Sequence, residues 1–570
     1  MRVRKLAAAV LGLCLTATAL WGCGKAERTT QAGHAADPLI WYNRSGLYAC
    51  FPGENPQEIA GFDSAGETNA VQRFLGRHDP TQDVRFDETR EQVYFCRNYR
   101  EDTSYGFFSG ELCARKFGGA VETVAADIVK YEPTAGGTLL AEDKTGALSL
   151  YRRTEKSWQG EVLAALVLDF RVSADRQSAV YLTGDGNLYA LHLTESGEQR
   201  GAAVKLASGM QQINFASADL RQLYCSDAGG SLCYSADLHP VQVVSVDVDQ
   251  SIFIRKTGHA YYLRDEHSVP EEQQQKKAVS DVKERGEELA RRESEAAAEE
   301  PDAASAQQQT ALSEITPAEG KTLCYFDGTK NQILLHNVSR LSAVYADRVQ
   351  ADRALAWQGS GSGFSIYLLR DSAALNTGLH LIDQGLLDLA LDAGEDKFYY
   401  VLFRPAGEGE QDPQRGTVFA RTYTAEEIEK EEALFSGVSG ISNAQGGNVF
   451  AGAENPNESY ASLVVDGQQL AERVASYQRV SETGKALFYL KDVFPNGDDK
   501  GGTLVKWDGG ADNSGEELFY GVSDYEAEED GSAVLLTGYG DTKELWYYGA
   551  DGTKQRLDEA AIAFRHRESE

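Results

Sequence analysis

An all-β chain of repeated antiparallel sheets, of the β-propeller class, is predicted by three observations. Apolar and aromatic residues alternate with period two in short runs, the runs pair around Gly, Asp or Asn turns, and the pairs recur along almost the whole chain. Successive side chains of a strand point to opposite faces, so this alternation marks half-buried strands, and helical periodicity is scarce. A lone four-stranded sheet cannot hide both faces, whereas radial stacking buries each sheet on the next and leaves only short edges. At 570 residues the chain exceeds an ordinary single domain. Two propellers are the first expectation, one large propeller the alternative, and a Greek-key sandwich array the third reading.

The paired runs are read in order across residues 38–265 and 319–565. Leu39-Ile40-Trp41-Tyr42 turns through Asn43-Arg44-Ser45-Gly46 into Leu47-Tyr48-Ala49-Cys50-Phe51. A second hairpin spans Val93 to Phe117. Ala179-Val180-Tyr181-Leu182 turns at Gly184-Asp185-Gly186-Asn187 into Leu188-Tyr189-Ala190-Leu191, and Leu223-Tyr224-Cys225 passes through Gly229-Gly230 to Leu232-Cys233-Tyr234. Ile252-Phe253-Ile254 pairs with Ala260-Tyr261-Tyr262-Leu263, and Cys324-Tyr325-Phe326 turns at Asp327-Gly328. If the larger ring is correct, hairpins 252–263 and 323–335 are two halves of one blade. The pattern continues through 397–403, 486–490 and 504–507, and ends with Ala533-Val534-Leu535-Leu536 returning as Glu544-Leu545-Trp546-Tyr547-Tyr548. The phrase Val180-Tyr181-Leu182-x-Gly184-Asp185-Gly186-x-Leu188-Tyr189 resembles TolB-type bacterial β-propeller repeats, which implies an outer part of a blade at each such hairpin.

Between the two strand-rich regions, residues 266–318 lose the alternation and become rich in Glu, Gln, Lys, Arg and Ala. Glu287 with Arg291 and Glu288 with Arg292 are spaced i,i+4 in the favourable order. Val279, Val282 and Leu289 are too sparse for a coiled-coil seam. The segment therefore reads as a charged helical or disordered insertion.

The N-terminus is of a different kind. Arg2, Arg4 and Lys5 precede an apolar run from Leu6 to Leu20 that is shorter than a membrane-spanning helix, as in an export signal. It ends in Leu20-Trp21-Gly22-Cys23, which resembles the lipobox of bacterial lipoproteins, with Trp21 departing from the small or β-branched residue usual at that position. The resemblance implies cleavage after residue 22, lipid on Cys23 and a chain tethered to a membrane by residues 23–37. An ordinary cleaved signal is the alternative.

Composition agrees with an exported body. The 55 Lys+Arg and 87 Asp+Glu leave a net charge of −32, which becomes −35 once Arg2, Arg4 and Lys5 are removed. Such acidity repels phosphate backbones, so no nucleic acid is expected as a partner. Six cysteines remain after Cys14 and Cys23. Cys225 and Cys233 fall opposite each other in a hairpin centred on Gly229, and Cys96 and Cys113 bracket another hairpin and can pair in the same way. The alternative is six buried free thiols, since export does not guarantee oxidation. No spacing is that of a Cys-x-x-Cys metal or redox motif.

Catalytic constellations are not found: there is no His-Glu-x-x-His, Gly-x-Ser-x-Gly or Gly-x-x-x-x-Gly-Lys pattern. Gly359-Ser360-Gly361-Ser362-Gly363 precedes a strand-like run and reads as a hairpin turn, not a phosphate loop. Asn496, Asp498 and Asp499, or Asp508, Asp512 and Asn513, could supply oxygen ligands for calcium, but acidic turn residues have a simpler backbone-capping role. No catalytic residue, metal or cofactor is therefore assigned. The expected function is a lipid-anchored, extracytoplasmic propeller that binds or scaffolds a protein, peptide or glycan. A channel enzyme acting on carbohydrate through paired carboxylates is the rival.

Overall fold

The computed structural model describes residues 38–62, 79–87, 91–102, 107–265 apart from Lys156, 320–344, and 350–369 apart from Asp352 and residues 361–362. It further describes strand segments between 379 and 479, and residues 486–565 apart from 497–498, 510–514 and Glu529. The signal, Cys23, the tether and the whole insertion at 266–318 lie outside the described residues. The described strands pair as antiparallel meanders, grouping into eleven four-stranded units of propeller type, with the short strand Gln350–Ala351 added parallel to Phe253–Ile254 at one edge.

Several of these units share a strand. Strand Glu122–Thr134 closes the second unit along 122–128 and opens the third along 128–134, with Ile128 paired to Gly110 on one side and Asp143 on the other. Val338, Val474, Val522 and Ala561 are pivots of the same kind. Ile128 is 2% exposed and Val338, Val522 and Ala561 are fully buried, so each pivot is anchored in the core while the strand changes sheets. The residue before four of these pivots takes a left-handed backbone: Asp127 (φ 59°), Asn337 (57°), Arg473 (56°) and Gly521 (66°). That conformation, followed by a bulge, supplies the turn that a continuous extended chain lacks. Leu166 (53°), Gly209 (77°) and Asp247 (53°) stand at the same point where the strand is broken instead of shared.

The core is divided into layers between successive sheets. One layer brings Leu140, Leu148 and Leu150 against Phe170, Ala179 and Tyr181; the next brings Val180 and Leu182 against Ile213, Cys225 and Cys233. Alternate residues of one strand thus serve opposite layers, as the period-two pattern requires. The ends meet as well. Strand Lys554–Phe564 pairs with Leu39–Asn43, and Val534, Leu536 and Leu545 pack with Trp41, Cys50 and Phe564. The Trp41 Nε1–H donates to Asp558 Oδ2 at 2.8 Å across this closure. Among the described residues every core cluster joins consecutive sheets, a succession compatible with one ring or with two.

Turn chemistry repeats between sheets. In Ser173-Ala174-Asp175-Arg176-Gln177-Ser178 the Ser173 hydroxyl and the Gln177 N–H both donate to Asp175 Oδ1, and Ser217 and Arg221 treat Asp219 identically. The third positions beyond, Arg176 and Leu220, are left-handed (φ 62° and 56°). The glycine-rich stretch at 359–363 is a hairpin whose strands meet at Ser360 and Gly363, as expected.

The hairpins at 252–263 and 323–335 do form one unit. Ala260–Asp265 pairs with Lys321–Phe326 from Ala260↔Phe326 to Asp265↔Lys321, so residues 266–320 leave and re-enter at a single strand pair. The flanking residues Asp265 and Lys321 therefore stand about 5 Å apart. Replacing 267–317 by a short Gly/Ser bridge is expected to leave the thermal midpoint within about 2 °C of the full chain, since the hairpin beneath it is already paired. Thermal unfolding followed by circular dichroism checks this, and a fall of many degrees would show that the insertion packs on the body.

Candidate functional site

The sheet entries supply a recurring set of polar groups that meet across neighbouring units. Each entry reads left-handed residue, buried or half-buried apolar residue, one further residue, then a polar residue: Asp127-Ile128-Val129-Lys130, Leu166-Val167-Leu168-Asp169, Asp247-Val248-Asp249-Gln250. The bulge after the apolar residue turns the fourth position towards the adjoining sheet. Hydrogen bonds with the preceding hairpin hold this geometry. The Val167 N–H donates to Gly146 O at 2.8 Å, Met210 N–H to Gly186 O at 2.9 Å and Val248 N–H to Gly230 O at 3.0 Å. The three accepting glycines have φ between 76° and 80°, a conformation that a side chain at these turns would strain.

Around this frame the third and fourth units meet through charge. Lys130 Nζ donates to Asp169 Oδ1 at 2.6 Å and to Phe170 O at 2.8 Å, and lies 4.6 Å from the centre of the Phe170 ring. Arg171 also pairs with Asp169 at 3.1 Å. Glu142 stands directly opposite Lys130 in the register. Its carboxyl is pushed up to about 7, first by burial and then by Asp169 and Asp143, with Lys130 opposing. The arrangement holds one carboxyl close to neutrality and a second ion-paired beside a single ammonium group.

One unit earlier, Arg85 contacts Glu132 through Nε and Nη2, each at 3.2 Å. Burial alone would lower the Arg85 pKa; Glu132 outweighs it and the net shift is upward. Beside this pair is a cavity of about 80 Å³ lined by Asp83, Arg85, Cys96, Tyr99, Lys130 and Tyr131. The Tyr99 hydroxyl donates to Asp83 Oδ2 at 2.6 Å, and that of Tyr131 to Asp83 O. Burial, reinforced by Asp83, holds the Tyr99 phenol and the Cys96 thiol well above their ordinary values, and burial does the same for Tyr131, so none of the three is a nucleophile at neutral pH. The cavity can accept a water-sized or small polar group; it carries no activated nucleophile.

Other entries use the same logic without charge. Gln250 Nε2 donates to Leu341 O at 2.7 Å, Gln478 Oε1 accepts from Ala527 N–H at 2.7 Å, and Arg565 donates to Val84 O at 3.2 Å. These inner positions escaped the sequence reading because Asp127, Leu166 and Arg473 carry a left-handed backbone that composition would assign to glycine. The one available signal was the recurrence of an apolar residue two places before a polar one.

The cysteines divide. Cys225 is paired directly with Cys233, as expected, in a register that runs without a bulge from Gln222↔Ala236 to Ser226↔Leu232. Cys96 and Cys113 correct the expectation of a second pair: Cys96 lies opposite Leu112, and Cys113 opposite Phe95. Near the turn Arg100↔Ser109 would extrapolate to Cys96↔Cys113, but a bulge at Asn98 (φ 52°) slips the register by one residue. The slip sends the two thiols to opposite faces, Cys113 packing with Ile40 and Phe95 and Cys96 with Tyr131 and Leu139. All six described cysteines are free thiols. Cys23 lies outside the described residues, as do Asp498, Asp512 and Asn513 of the calcium reading, and among the described residues no group of three His, Cys, Asp or Glu side chains could hold a metal.

No family model matches the chain, and no curated protein matches it. Solved structures that resemble it include a eukaryotic initiation factor (8% identity, 78% of this chain and 95% of that one, TM-score 0.34). The tricorn protease (10%, 93% and 52%, TM-score 0.25) and the β-propeller domain of the Trilobed protease from Pyrococcus furiosus (9%, 69% and 95%, TM-score 0.26) are also similar. Overlaps of this size carry no argument about activity.

The raised Glu142 predicts a pH dependence. Its native carboxyl holds a proton up to about pH 7 while the unfolded chain releases it near the ordinary value of 4.5. The native state therefore binds more protons in that window, and stability falls as pH rises through it. Glu142→Gln is expected to stabilise the protein at pH 8 by on the order of 1 kcal/mol after solvent screening, with the gain absent at pH 4. Urea unfolding of both proteins at the two pH values checks this; an equal difference at both would remove Glu142 as the cause.

Proposed function

We propose that the chain is exported, held to a bacterial membrane by lipid on Cys23, and serves there as a non-catalytic binding or scaffolding body for a protein, peptide or glycan. The observation that carries the reading is the N-terminal succession of Arg2, Arg4 and Lys5, an apolar run, and Leu20-Trp21-Gly22-Cys23. The TolB-like hairpin phrase at 180–189 supports the same compartment, because repeats of that type belong to bacterial propellers. The non-catalytic half is supported by the sheet entries: Lys130, Asp169, Arg85 and Glu132 are engaged in bonds between units, and the buried Tyr99, Tyr131 and Cys96 are held in their neutral forms. Loops converging on one face of stacked sheets offer a surface for a macromolecular ligand.

Fractionation tests the anchor. Wild-type protein is expected in the membrane fraction and to incorporate a palmitate probe, while Cys23→Ala loses the label and either leaves the membrane or retains its signal. Equal partitioning and equally absent labelling of both forms would refute the anchor.

The carbohydrate-enzyme reading retains one observation in its favour, the raised Glu142 carboxyl and the neighbouring Asp169 that both interact with Lys130, since glycoside hydrolysis uses a pair of carboxyls of which one has a raised pKa. On the binding reading, wild-type protein hydrolyses none of a panel of chromogenic glycosides. Turnover that Glu142→Gln and Asp169→Asn each reduce by 100-fold or more would decide for the enzyme.

A further inference from the structure

The opposed pair Cys225 and Cys233 differs from every other described cysteine in having a second sulfur directly across the ladder. The Asp227 N–H donates to Ser231 O at 3.3 Å, which makes 227/231 a hydrogen-bonded pair, and two residues along the ladder 225/233 is another. The Cα atoms of such a pair stand about 5.5 Å apart, within the range that disulfides span. Both side chains face the same layer, against Val180, Leu182 and Leu188 of the preceding sheet, and each thiol lies within hydrogen-bonding reach of the other. The hairpin between them is held by its own turn, with Asp227 Oδ1 accepting from the N–H groups of Gly229 and Ser231 at 2.9 and 2.8 Å. The strands are thus aligned before any covalent bond is made.

We propose that Cys225 and Cys233 are a disulfide site, oxidised as the chain folds outside the cytoplasm, and that the other four described cysteines stay reduced. For its oxidant the inference rests on the export reading. The chemistry is thiol–disulfide exchange with a disulfide-bearing oxidant, either a protein oxidoreductase or oxidised glutathione. The Cys233 thiolate attacks one oxidant sulfur, forming a mixed disulfide and expelling the other sulfur as a thiolate. The Cys225 thiolate then attacks Cys233 Sγ and expels the second. Two protons and two electrons leave the pair, and the oxidant departs as two thiols. The same step written with Cys225 attacking first balances equally, since the two cysteines stand directly opposite each other. In the closed structure the two residues are 0% and 1% exposed. Exchange therefore precedes the closing of the preceding sheet over the hairpin, and once that sheet is in place neither oxidant nor reductant reaches the bond.

The same strand pair that excludes Cys96 from Cys113 provides the internal control. The full chain is unfolded in reductant, refolded in a glutathione redox buffer, then denatured with N-ethylmaleimide present and mapped by mass spectrometry. The expected result is a Cys225–Cys233 bridge two hydrogens lighter than the dithiol, with Cys50, Cys96, Cys113 and Cys324 alkylated. Alkylation of both Cys225 and Cys233 in a natively folded product, or a bridge between any other two cysteines, overturns the proposal. A second measurement separates the bond from the packing of its sulfurs. The oxidised wild type is expected to melt several degrees lower when refolded with dithiothreitol throughout, and Cys225→Ala/Cys233→Ala is expected to melt at one temperature with or without it. An equal effect of dithiothreitol on both overturns it as well. Refolding in vitro needs no export, so failure here leaves the lipid anchor standing and failure of the anchor leaves the bridge standing.

Discussion

Where a strand is broken instead of shared, the succession of units depends on the hydrogen bond between a hairpin glycine and the first apolar residue of the next sheet. Gly146 with Val167, Gly186 with Met210 and Gly230 with Val248 repeat one arrangement, in which a turn of one unit accepts the N–H that begins its successor. One such bond contributes only about 1 kcal/mol. Its importance is geometric, because the donor sits between a left-handed residue and a bulge, and both would be costly if the following strand were not held. The apolar layers then complete what the bond has aligned. Val167 and Met210 are themselves members of those layers, so local backbone strain and burial are coupled at the same residues.

Charge plays a secondary part. Lys130 with Asp169, and Arg85 with Glu132, bridge units that the apolar layers already join, and Gln250 or Gln478 fills the same place elsewhere. A neutral side chain serves as well as an ionised one, which indicates that satisfying the exposed backbone of a neighbour is the common task. Glu142 is the exception, since its burial is only partly offset by Lys130.

Much of this was readable in the sequence where a strand and its turn obey simple rules. The period-two runs and the Gly/Asp turns located the hairpins, and the symmetric spacing about Gly229 located Cys225 opposite Cys233 because no bulge intervenes. The same argument failed for Cys96 and Cys113, where Asn98 inserts an extra residue into one strand. A bulge at a residue other than glycine leaves little compositional trace, and one such residue reverses every face assignment beyond it. The shared strands were hidden for a related reason. Nothing in the composition of Glu122–Thr134 announces that its two halves belong to different sheets, since Ile128 looks like any other buried strand residue. The candidate site was legible only as an expectation of converging polar groups, because contact between Lys130 and Asp169 joins residues from separate sheets.

The pairing of Lys554–Phe564 with Leu39–Asn43 has a consequence for the order of events during synthesis. The first unit receives its fourth strand, Lys554–Phe564, from far along the chain, so Leu39–Asn43 waits with one edge unpaired until that strand has been made. An open edge of alternating apolar residues is a template for misassociation. A ribosome stalled short of Ala561 would release a product whose middle units can stack but whose first sheet is unfinished and whose sticky edge is permanent. The late strand thus acts as a check on synthesis: only a chain translated through Phe564 conceals the open edge of Leu39–Asn43.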